Sequence, residues 1–130
     1  MTVREEPVLE PTYSRRAVPA GTVRHWCWLF APAAARAPLL GVFALLAEWR
    51  ALVNPRTDPA VAGAKLLWWR EEMARLARRE PVHPIGRFLV ALPRADAVDF
   101  APLGAAVAGA VRIRHPRSTG LRRAGDRIGS

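Results

Sequence analysis

Two consecutive tryptophans, Trp68 and Trp69, precede Arg70 and the carboxylates Glu71 and Glu72. A tryptophan pair can wall an apolar cavity. It can equally anchor packing, with one ring in a core and one at its boundary. A guanidinium presents a planar fork of donors that suits a phosphate or a carboxylate. For Arg70 the alternatives are a bound phosphate and a surface or interhelix ion pair. Glu48 sits in an apolar stretch, open to a substrate or to pairing with Arg50, Arg87 or solvent. Glu48, Trp68, Trp69 and Arg70 are therefore the candidate substrate-binding residues. No catalytic set accompanies them. Cys27, the single cysteine, lies between Trp26 and Trp28, where a small buried apolar role is expected. A nucleophile would need a base beside it, and the adjacent His25 would point elsewhere on a helix. His25, His83 and His115 lack the spacing of a zinc site. No metal ligand is assigned.

The elements that would position these residues are helical. Thr22 is a plausible N-cap for a helix over Val23–Phe30, which Ala31-Pro32 ends. Leu39, Val42, Phe43, Leu46, Trp49 and Val53 recur at spacings of three and four, predicting a helix over Ala33–Val53 with Pro38 in its first turns. Asp58-Pro59 reads as an N-cap with proline at the first helical position. The helix that follows should run to about Arg79, burying Val61, Ala64, Leu67, Trp68 and Met73 or Leu76. Glu71 and Arg75 form an i,i+4 pair on its polar side. A shorter helix is expected over Pro84–Leu92, and Asp99 could cap a last one over Ala101–Val111. There is no strand alternation and no repeat. The fold class is all-α, with four to five helices. Residues 1–20 are expected to be extended or disordered, 21–110 to form the helical domain, and 111–130 to be a disordered basic tail.

Three segments carry a resemblance to the squalene/phytoene synthase family. Trp28-Leu29-Phe30-Ala31-Pro32, followed by Arg36, is similar to the family's lead into its second helix. Val42-Phe43-Ala44-Leu45 stands where the family has a "YAF" segment. Leu66-Leu67-Trp68-Trp69-Arg70-Glu71-Glu72 resembles the "LxWWRDE" signature, and His83-Pro84 also fits. The likeness covers about residues 22–92. It implies a class I isoprenoid synthase bundle, here a partial one, in which Trp68 and Trp69 would line a prenyl cavity. In catalytic members two aspartate-rich motifs hold Mg²⁺, which binds a prenyl diphosphate. The first motif would fall at Arg50, Ala51 and Asn54, none of which is acidic, and the second would lie beyond residue 130. The resemblance thus points to a truncated, non-catalytic member. Leu46-Ala47-Glu48 is similar to the branch that includes respiratory complex I assembly factors. The implied role is a scaffold or vestigial isoprenoid-binding module. A residual prenyltransferase that needs a partner to supply acids is the remaining enzymatic alternative.

Charge bounds the other readings. Of the net +9, residues 1–110 carry +4 and residues 111–130 carry +5, so the excess is concentrated in the tail. Arg112, Arg114, Arg117, Arg122, Arg123 and Arg127 could meet nucleic acid or an anionic membrane. No aromatic is interleaved for stacking, which argues against single strands. Arginine over lysine, with many alanines and prolines, suits a GC-rich bacterial origin. The start has acids and prolines in place of an apolar signal segment. The longest uncharged stretch in the Trp26–Trp49 region, Ala37–Ala47, is short of the about 20 residues a membrane span needs. A cytoplasmic location is expected, with peripheral contact at the inner membrane as an alternative. A partial bundle should leave apolar helix faces open, to be covered by self-association or by a protein partner.

Overall fold

The computed structural model describes residues 7–114, with side chains described as far as residue 109. These residues are all-α, with six α-helices, one 3₁₀ turn and no strand. The helices are α1 (Pro11–Ala17), α2 (Val23–Leu29), α3 (Ala33–Val53), α4 (Pro59–Ala77), α5 (Pro84–Val90) and α6 (Ala101–Arg114), with the 3₁₀ turn at Ala95–Ala97. The long α3 is the hub, touching each of the other five, while α6 lies chiefly along α4.

Local chemistry explains most boundaries. The Thr22 hydroxyl accepts from the His25 backbone N–H at 3.3 Å, and Asp58 accepts from the Ala60 N–H at 2.9 Å. Both acceptors satisfy donors that a first helical turn leaves unpaired. Asp99 does the same for Ala101 at 3.0 Å. Arg36 ties the end of α2 to the start of α3, donating to the Leu29 carbonyl at 2.7 Å. The Trp28 indole N–H donates back to the Arg36 carbonyl at 3.1 Å. At the end of α4, Arg79 adopts a left-handed φ of 64°. There the Arg79 N–H donates to the Leu76 carbonyl and the Glu80 N–H to the Arg75 carbonyl, both at 2.9 Å, a Schellman closure. The Arg79 guanidinium then donates to the carbonyls of Ala95, Asp96 and Val98, pinning the α5–α6 connection.

The structure corrects several expectations. The segment expected to be extended contains α1, and Leu9, Ala17 and Val18 are buried. Pro11 stands at the first helical position, where its missing N–H costs nothing. The helix is too short to show an apolar period. Cys27 is exposed, because no residue of α2 is buried. On α3 the buried residues are Gly41, Ala44, Leu45, Trp49 and Leu52. Of the predicted stripe only Trp49 is among them, and Phe43, Leu46 and Val53 pack partly buried at its edge.

The largest correction concerns α4. Its buried residues are Ala62, Gly63, Leu66, Trp69, Glu72, Met73 and Leu76. Val61, Leu67 and Trp68, predicted to be inside, are exposed, as is Ala64. Both faces of this helix are apolar in sequence, so periodicity alone cannot choose between them. Finally, α6 runs on to Arg114, past the expected boundary at 110. The rest of the predicted basic tail lies outside the described residues.

Gly86 marks a close approach between α5 and the segment before it. A Cβ there would stand 2.7 Å from Cβ of Pro81 and 3.3 Å from a Glu72 carboxylate oxygen. A proline ring cannot swing aside. Gly86→Ala should therefore cost about 1–3 kcal/mol of stability, as overpacking does, measured as a shift in the urea midpoint.

Candidate functional site

The site is built around His83, the residue that opens α5. Its Nδ1 accepts from the Ile85 backbone N–H at 3.1 Å, so the ring is the N-cap of the helix. In the neutral ring this bond places the proton on Nε2. Three aromatic rings surround it. The Trp69 ring centroid is 4.6 Å away, Tyr13 of α1 is at 5.3 Å, and Trp68 is at 5.9 Å. Trp69 in turn meets Trp49 of α3 edge-on at 6.2 Å. Rings from α1 and α4 thus meet the imidazole, and α3 joins the cluster through Trp49.

Glu72 is the second feature, a fully buried carboxylate one turn along α4 from Trp69. It accepts from the His83 N–H at 2.7 Å, from the Val82 N–H at 3.1 Å and from Nε of Arg75 at 2.8 Å. A buried carboxylate is tolerated when it is both paired and hydrogen-bonded in this way. Arg75 also approaches Glu71 at 3.9 Å and lies 5.4 Å from the Trp68 ring centroid. The i,i+4 pair expected from sequence is therefore present, but the shorter contact is to Glu72.

Glu48 pairs with Arg16 of α1 at 3.3 Å, neither Arg50 nor Arg87 being its partner. Burial is the chief influence on His83 and pushes its pKa below the usual value, while Glu48 and Glu72 oppose that shift. Burial likewise raises the Tyr13 phenol, with Glu48 and Glu10 adding to it and Arg16 opposing. Glu48 therefore acts electrostatically on this cluster.

Of the four sequence candidates, Glu48, Trp68 and Trp69 are gathered about His83. Arg70 is not: it is exposed, and it takes part in none of the ion pairs among the described residues. The sequence reading missed Tyr13, Glu72 and the capping role of His83. The signals were a histidine directly before a helix-starting proline and the Glu72–Arg75 spacing. The cluster offers a histidine of lowered basicity beside a phenol and a carboxylate, but the exposed Cys27 lies on α2, outside these ring contacts. Among the described residues no group of three or more His, Cys, Asp or Glu could hold a metal ion, and no helix is long and apolar enough to cross a membrane.

The lowered basicity of His83 has a measurable consequence. Below about pH 6.5 the unfolded chain protonates this histidine while the folded chain still resists. The unfolded state then binds more protons, so stability must rise with pH across this window. We expect stability to fall as pH drops from 7 to 5. His83→Asn, which keeps a capping side chain, should flatten that dependence in pH-stepped thermal melts.

No protein-family model, no curated protein and no solved structure significantly matches this chain.

Proposed function

We propose that the chain is a squalene/phytoene synthase-like helical module, without prenyl transfer of its own, that works as a scaffold. The observation that carries this reading is the outer face of α4. Val61, Leu67 and Trp68 are 46%, 52% and 38% exposed, while the opposite face of the same helix is buried. A helix with large apolar side chains on its exposed side is suited to sit between two layers, and among the described residues only one side of α4 is packed, against α3 and α6. Large apolar side chains left exposed on one helix are the ones a partner would cover. The second layer would be another copy of the chain. Such a module would act in the cytoplasm or against the inner membrane face.

The residues at the implied metal site support the non-catalytic part of the reading. Arg50, Ala51 and Asn54 are all exposed at the end of α3. A Mg²⁺–diphosphate cluster needs several oxygen ligands, and these residues supply no carboxylate. Glu48 is already engaged by Arg16. These residues do not fit that group. Incubation with farnesyl or geranylgeranyl diphosphate and Mg²⁺ should return the substrate unchanged. Formation of a head-to-head condensation product would overturn the reading.

A further inference from the structure

We propose that two adjoining cavities at the junction of α3, α5 and α6 form a binding site for a medium-chain carboxylate. The first cavity has a volume of about 240 Å³. It lies between Pro38 and Val42 of α3, Leu89 and Leu92 at the end of α5, and Phe100 and Leu103 at the start of α6. Its lining includes Pro93 and Pro102 besides Pro38, and proline has no backbone N–H to offer. Its one charged lining residue is Asp99, whose carboxylate already caps the Ala101 N–H. A wall built mostly of proline, aliphatic and aromatic side chains favours hydrocarbon over water. The volume corresponds to roughly eight methylene-sized groups, taking about 30 Å³ for each as for a water.

The second cavity, about 430 Å³, shares Pro38, Leu92 and Pro93 with the first. Among the described residues lining it, Arg94 is the charged one. Arg94 is exposed and is in no ion pair among the described residues. Its backbone is held in the left-handed region at φ 63°, directly after Pro93. Arg94 is the third residue of a Leu92–Ala95 turn, closed by the Ala95 N–H donating to the Leu92 carbonyl at 3.1 Å, and this turn fixes where Arg94 leaves the backbone. The guanidinium provides the charge that complements a carboxylate, and the neighbouring apolar cavity accepts the chain. The site is distinct from the implied diphosphate end of α3, because Pro38 and Arg50 are separated by about 18 Å along the helix. The inference does not depend on the family resemblance.

Titration calorimetry of the whole chain with octanoate, octanol and octyltrimethylammonium tests it. Octanoate should saturate a single site. The neutral and cationic analogues should bind at least about tenfold more weakly, as loss of a charge-assisted contact implies. Val42→Trp should fill the apolar cavity and abolish octanoate binding with helical circular dichroism retained. If that variant does not fold, Leu103→Trp takes its place. Arg94→Gly relieves the left-handed strain, so it should melt no lower than the parent yet bind octanoate about tenfold more weakly. The proposal is overturned if folded parent protein shows no saturable octanoate binding. It is equally overturned if the three probes bind alike, or if Arg94→Gly and the cavity-filling variant both bind as the parent does.

Discussion

Glu72→Ala is expected to destabilise the fold by about 3–5 kcal/mol, the scale found when one partner of a buried charge pair is removed. The cost has two sources. The Val82 and His83 N–H groups lose an acceptor that is itself fully buried, and an unsatisfied buried donor costs up to about 1–3 kcal/mol. Arg75 loses its 2.8 Å partner and keeps only the longer contact to the exposed Glu71. Glu72→Gln should lose less, because an amide oxygen can still accept one of the three bonds while its NH₂ opposes another. The order parent, Gln, Ala in urea midpoint is the expected result. A Glu72→Ala protein as stable as the parent would show that this carboxylate does not hold α4 to α5.

The second large effect is an asymmetry between neighbours. Trp69→Ala should cost about 3–5 kcal/mol, as truncation of a buried aromatic does. Trp69 is 5% exposed and packs against Trp49 and His83. Trp68→Ala should cost no more than about 1 kcal/mol in the isolated chain, since that ring is 38% exposed. Its contact with Arg75 is of the cation–π kind, worth about 0.5–1 kcal/mol at an exposed site. Thermal melts of the two variants should therefore differ by many degrees. Equal destabilisation would mean that α4 is rotated relative to the arrangement described.

These two residues also show how far the sequence is legible. The helix boundaries are written in local chemistry. Thr22, Asp58 and Asp99 sit at helix starts because short acceptors there satisfy free N–H groups, and Asn54-Pro55 stops α3 for steric reasons. Which face of a helix is buried is a different kind of information. On α4 the row Val61, Ala64, Trp68 and the row Ala62, Leu66, Trp69, Met73, Leu76 are both apolar, so the choice is made by neighbouring helices and not by the pattern. Glu72 is hidden from pattern reading for the same reason, since a charged residue is assigned to solvent unless its partners are known. Those partners are two backbone N–H groups about ten residues downstream, which no periodicity announces.

The candidate site divides along the same line. Glu48, Trp68 and Trp69 were recognisable by residue type, and they do share a neighbourhood. Tyr13 was not recognisable, because α1 has only Ala17 fully buried and so shows no stripe. The ion pair of Glu48 with Arg16 links residues 32 apart in sequence, a contact that depends on α1 lying against α3. Arg70, by contrast, stood out in sequence only because it adjoins the tryptophan pair. On a helix, adjacency in sequence turns a side chain by about 100°, and Arg70 faces solvent while Trp69 faces the core.

If the exposed apolar side chains of α4 are the surface for a second layer, the oligomeric state will show it. Sedimentation equilibrium of the intact chain over a wide concentration range, beside Leu67→Glu and Trp68→Glu, tests it most directly. The parent should self-associate, and each charged variant should be a monomer of unchanged helical content. A parent that stays monomeric at every concentration and melts in one sharp, cooperative transition would contradict it.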